Sequence, residues 1–102
     1  MYSFLIDTPE VGSATIKMNR EALGGKDAMD FANTIQNIPT NIKVLILDME
    51  KLELINSSGL GMITKANNDL LSKNIELVLS SVPENVMRLL EITRLNRIFK
   101  II

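Results

Sequence analysis

The chain has no cysteine, no histidine and no tryptophan, and only one tyrosine and three phenylalanines. Without cysteine there are no disulfides and no thiolate chemistry, and without histidine there is no imidazole acid–base relay. Together the two absences remove most zinc and copper sites. The acidic residues are scattered, so no metal site and no cofactor are expected. Few aromatics argue against a base-stacking platform. Eleven Lys and Arg balance twelve Asp and Glu, for a net charge of -1. No block of one sign gives an electrostatic reason to expect nucleic acid or an anionic membrane as partner. No apolar run approaches the ~20 residues of a membrane-spanning helix. The start, Met1-Tyr2-Ser3-Phe4, lacks the basic and apolar regions of a signal peptide, and a cytoplasmic location is expected.

What is present is an ordinary globular balance, 46% hydrophobic and 23% charged over 102 residues. One domain spanning 1–102 is expected. Residues 2–7 read as a strand, Thr8-Pro9-Glu10 as a turn, and 13–18 as a half-buried second strand that pairs with the first as a hairpin. Residues 19–26 form a connection broken by Gly24-Gly25. Ala28, Phe31, Ala32, Ile35 and Ile38 recur on one face and predict a helix over 27–37, ended by Pro39. The β-branched run 43–48 reads as the central strand, covered on both faces. A second helix is predicted from 57 or 58 to 72, with Leu60, Ile63, Leu70 and Leu71 on one face and Ala66 at its edge. Asn67 falls inside that arc and is expected at a boundary or hydrogen-bonded. Residues 75–79 read as another covered strand. Ser81-Val82-Pro83-Glu84 has the form of a capping box before a third helix over 82–93, which buries Val86, Leu89, Leu90 and Thr93. After a turn at 94–97, residues 98–102 suit a last strand. The order is β-β-α-β-α-β-α-β, an α/β fold with a single mixed sheet.

The chemistry-bearing stretch is Asn56-Ser57-Ser58-Gly59-Leu60-Gly61, between the apolar strand and the second helix. An enzyme reading finds no support in it. Gly59-x-Gly61 lacks the third glycine of a dinucleotide fingerprint, its spacing is not that of a P-loop, and Ser58 has no histidine to serve it. No pocket-forming set of residues stands out. Helix capping alone explains any one of Asn56, Ser57 and Ser58. It does not require a second hydroxyl followed by two glycines around Leu60, each costing about 1 kcal/mol relative to alanine within a helix. The glycines point to close approach of another backbone or a partner. Gly61 and Met62 fall outside the buried arc, where an exposed methionine suits an adaptable contact surface. A phosphate on a serine here would sit at the positive end of a helix and oppose an apolar or acidic partner.

These residues resemble the STAS family, in particular its anti-sigma factor antagonists. The likeness rests on the strand ending in Asp48, on Leu52-Glu53-Leu54-Ile55, on Asn56-Ser57-Ser58-Gly59-Leu60-Gly61 against the family's Asp-Ser-Ser/Thr-Gly-Leu-Gly, and on the ending Leu89-Leu90 through Leu95 to Ile98-Phe99. The resemblance implies a STAS-like fold and a partner-switching mechanism. The unmodified antagonist binds an anti-sigma factor that is also a serine kinase and so frees a sigma factor. Phosphorylation of the second hydroxyl residue ends binding, and a phosphatase resets it. Carried over, Ser58 is the phosphoacceptor, Ser57 shapes the loop, and Asn56, Ser57, Gly59, Leu60, Gly61 and Met62 belong to the partner-binding surface. The chain departs from the family at Asn56, which keeps the capping oxygen but loses the charge of Asp. It departs also at Met18-Asn19, where a glycine is common. The alternative is a constitutive, unphosphorylated STAS interaction module in a larger signalling or transport assembly.

Overall fold

The structure, a computed structural model, describes residues 6–7, 12–39 and 41–102. The expected strand residues 2–5 and the turn at 8–10 lie outside the described residues. Among the described residues five strands form one sheet in the order β1 (Ile6–Asp7), β2 (Ser13–Lys17), β4 (Val44–Asp48), β6 (Glu76–Ser80), β7 (Lys100–Ile101). β1 and β2 pair antiparallel, with Ile6 opposite Ile16, and the remaining pairs are parallel. A separate two-stranded parallel pair joins β3 (Glu21–Ala22) to β5 (Leu54–Ile55). The helices are α1 (Lys26–Gln36), α2 (Ser57–Leu71) and α3 (Glu84–Ile92), with a short 3-10 turn at Leu95–Arg97. The predicted element order holds, and the β3–β5 pair is an addition to it.

The strand register sorts the sheet into two unlike faces. Ala14, Leu45 and Leu77 lie abreast, as do Ile16, Leu47 and Leu79. All six join the buried core with Phe31 and Ile35 of α1, Leu60, Ile63 and Leu70 of α2, and Val86 and Leu90 of α3. All three helices therefore cover the same face, as right-handed crossovers taken in one direction along a sheet require. The opposite face carries Thr15, Val44, Ile46 and Val78. Val78 is buried but stands outside the core cluster, and Thr15, Val44 and Ile46 are half-buried. This corrects the expectation that the central strand is covered on both faces: β4 is central, but only Leu45 and Leu47 are enclosed.

Three further expectations are corrected. Leu71 is 58% exposed, because it lies on the last turn of α2. Thr93 caps the end of α3 from outside the core, its hydroxyl donating to the Leu89 carbonyl at 2.8 Å. The capping box at 81–84 does not form. Pro83 occupies the cap position without a side-chain hydrogen bond, and Ser81 is left-handed at φ 52°. Asn67 is buried to 6% exposure, and no buried side-chain polar atom among the described residues lacks a partner.

Candidate functional site at the start of the second helix

Asn56 sits before α2 in extended conformation, and its Oδ1 accepts from the Gly59 N–H at 2.8 Å. That satisfies one of the free donors of the helix's first turn. The other end of the same amide, Nδ2, donates to the Leu23 carbonyl at 3.2 Å. The Asn56 backbone N–H donates to the Ala22 carbonyl at 3.4 Å. The start of α2 is thus tied to the loop between β3 and α1, which sequence reasoning treats as a plain connection.

Gly59 explains itself through the same loop. A Cβ built on Gly59 would run into the Ala22 carbonyl oxygen. The close approach inferred from the sequence is therefore made by the chain's own backbone. Gly61 is different. It is exposed, and a Cβ there would meet nothing within 4 Å. Gly24 has φ +87°, and a Cβ on it would come within 2.7 Å of the Ser58 Cβ. The loop needs glycine at this position for its left-handed backbone and for its closeness to the serine.

Asn56, Ser57, Ser58 and Gly61 are exposed, whereas Gly59, Leu60 and Met62 are buried. The Met62 expectation is corrected: the side chain is only 7% exposed. α2 packs on α1 as well as on the sheet, so its buried arc is wider than an arc facing one layer. Met62, Ala66, Phe31, Ala32 and Ile35 line a groove of about 390 Å³ between the two helices, and Ser58, Gly24, Gly25 and Gly61 form one end of it. Sequence reasoning saw no pocket, because the groove is made by two segments about thirty positions apart. Met29 on its α1 side is 68% exposed. Lys65 and Asp69 line its α2 side and form a loose i,i+4 ion pair at 4.0 Å.

Neither Ser57 nor Ser58 donates or accepts a side-chain hydrogen bond with another described residue. The first turn of α2 carries no acidic residue, so no carboxylate there offsets the positive end of its dipole. On the far side of Leu54–Ile55, Arg20 donates to Glu53 through Nε at 3.0 Å and through one guanidinium nitrogen at 2.8 Å. The hydrogen bond and then the charge of Glu53 raise the Arg20 pKa. This pair braces the ends of β3 and β5 at the surface. Among the described residues no cluster of three or more acids could hold a metal ion, and no helix is long and apolar enough to cross a membrane.

Residues 6–102 match the model of the STAS domain. TM1081 of Thermotoga maritima, assigned as an anti-sigma factor antagonist, is similar in structure at TM-score 0.80 and 26% identity, over 96% of this chain and 84% of that one. Unphosphorylated SpoIIAA of Bacillus, an anti-sigma factor antagonist, shares the fold at TM-score 0.71 and 16% identity, over 98% and 87% of the two chains. A sulfate transporter family protein from Wolinella succinogenes shares it at TM-score 0.77 and 18% identity, over 93% and 80%. With the capped Ser-Ser-Gly-Leu-Gly segment opening α2 on a sheet of this order, and the domain model matched from residue 6 to residue 102, the chain belongs to the STAS domain family.

Proposed function

We propose that this protein is an anti-sigma factor antagonist that binds a kinase-type anti-sigma factor, releases a sigma factor, and is switched off by phosphorylation of Ser58. It acts by binding and not by catalysis, with a phosphatase to reset it. The observation that carries this reading is an exposed Ser58 hydroxyl, without a hydrogen bond to any described residue, at a helix N-terminus with no carboxylate in its first turn. The fold tolerates a phosphate there because the added charge of about -1.5 to -2 meets the positive end of the dipole. A partner docked on the same surface does not tolerate it, since it would bury an unpaired charge. Asn56, Ser57, Ser58 and Gly61 face that partner directly. Gly59, Leu60 and Met62 set the surface from beneath. Likeness to two anti-sigma factor antagonists supports the choice of partner class.

The test is the affinity of wild type, Ser58→Ala and Ser58→Asp for the kinase-type anti-sigma factor by titration calorimetry. Ser58→Ala keeps Kd within about threefold, since it removes a hydroxyl with no hydrogen-bond partner among the described residues. Ser58→Asp weakens binding by at least about 30-fold, the order of an unpaired charge forced into an interface. Equal binding by both variants ends the proposal.

Asn56 favours a second reading. With an amide where the family carries a carboxylate, the chain suits a constitutive, unphosphorylated STAS module in a larger assembly, and one fold relative is a sulfate transporter family protein. Peptide mapping by mass spectrometry of protein from its own cells separates the two. Phosphate on Ser58 that varies with growth condition supports the switch. Its absence in every condition, where the kinase is present, supports the constitutive module.

A further inference from the structure

We propose that Asn56 is a positioning residue that clasps the β3–α1 loop to the start of α2, making that loop the second wall of the surface that carries Ser58. The proposal rests on the reading of the Ser58 surface as partner-facing.

Capping needs only one end of the Asn56 side chain. Oδ1 on the Gly59 N–H does that work, and an aspartate or serine would do it equally. The amide nitrogen serves a different segment: it donates to the Leu23 carbonyl, 33 positions earlier in the chain. A carboxylate has no proton to give and would set an oxygen against that carbonyl. Leu23 leads directly into Gly24, whose left-handed turn lays its backbone along the Ser58 Cβ. The asparagine that caps the helix therefore also fixes how close the loop stands to the acceptor serine. Gly24, Gly25 and Ser58 meet at the same end of the α1–α2 groove, so a partner that covers the serine also meets the loop.

Two amides of α1 report the state of the loop, because the Asp27 N–H donates to the Gly24 carbonyl and the Met29 N–H to the Gly25 carbonyl. Hydrogen exchange is measured by NMR on the full chain alone. In Asn56→Asp, the Asp27 and Met29 amides lose protection by about 2- to 10-fold, the worth of one neutral hydrogen bond. The Gly59 amide stays protected, because the carboxylate still accepts from it and the helix dipole favours the new charge. The melting temperature does not fall. A purely structural cap gives a different pattern, with all three amides unchanged in Asn56→Asp.

Binding supplies the second arm. Asn56→Asp and the charge-neutral Gly24→Ala each raise Kd for the kinase-type anti-sigma factor by about 2- to 10-fold, again on the scale of one such bond. Gly24→Ala displaces the loop from the other side, by driving a methyl against Ser58. Unchanged protection of Asp27 and Met29 in Asn56→Asp overturns the clasp. Lost protection with wild-type affinity in both variants overturns the loop as a wall. Failure of the wild type to bind counts against the Ser58 reading, and the exchange data still decide whether the clasp exists.

Discussion

The starts of α2 and α3 face the same local problem and solve it differently. At α3 the chain leaves β6 through a left-handed Ser81, Pro83 presets the entry, and no side chain caps the free N–H groups. Glu84 in the first turn answers the dipole from within the helix, and Asn85 Nδ2 donates at 3.2 Å to the Glu53 carbonyl. At α2 a side-chain cap is present, yet the first five residues carry no acid, two glycines and two hydroxyls without a hydrogen bond to any described residue. α3 begins with its charge balanced. α2 begins with its charge open and its backbone pressed onto Ala22. The difference shows that helix initiation does not require the composition of the α2 start: Gly59 answers to the Ala22 backbone and Asn56 to the cap, while Gly61 and the two serine hydroxyls meet no packing or hydrogen-bond demand among the described residues.

The sharpest way to break this contrast is at the two glycines. Gly59→Ala forces a methyl into the Ala22 carbonyl and is expected to cost about 3 kcal/mol, at the upper end for overpacking, with the urea midpoint falling accordingly. Gly61→Ala meets open space and is expected to stabilise the protein by about 0.5–1 kcal/mol, the usual gain of alanine over glycine within a helix. Opposite signs two residues apart on one helix turn separate a glycine held by packing from one that packing does not need. A second comparison lies at the caps. Asn56→Ala is expected to cost about 1–2 kcal/mol, since it removes both the cap and the bond to the Leu23 carbonyl. Ser81→Ala is expected to stay within about 0.5 kcal/mol, because no cap bond is there to lose. Chemical denaturation of both variants reads the comparison directly, and a large cost at Ser81 would erase it.

Most of the fold was legible because its signals are periodic. The apolar stripe Ala28, Phe31, Ala32, Ile35 and the β-branched run of β4 placed α1 and the central strand within a residue or two. What the sequence hid was what depends on distant partners. β3 and β5 are two residues each, too short to carry a period, and exist because the main-chain groups of 21–22 and 54–55 find one another. Met62 lies outside a one-layer arc but inside a two-layer one, and only the position of α1 decides which applies. The half-open far face of β4 follows from the direction of three crossovers, not from its own apolar run. At the site, the capping asparagine, the serines and the need for close approach were readable. The segment that approaches Gly59 and Ser58, Ala22 through Gly24, was not, since nothing in a Glu-Ala-Leu-Gly-Gly stretch names its neighbour.

The sheet order has a consequence for how the protein is made. Read across the main sheet, the described strands follow the order of the chain itself, from β1 to β7 without a reversal. Each new strand lands on the edge left open by the one before, and none has to be threaded between two already placed. Synthesis from the N-terminus can therefore lay the sheet down from one side to the other. The loop and the helix start that meet at Asn56 both precede β6, α3 and β7 in the chain, so the two sides of that contact are delivered before the far half of the sheet.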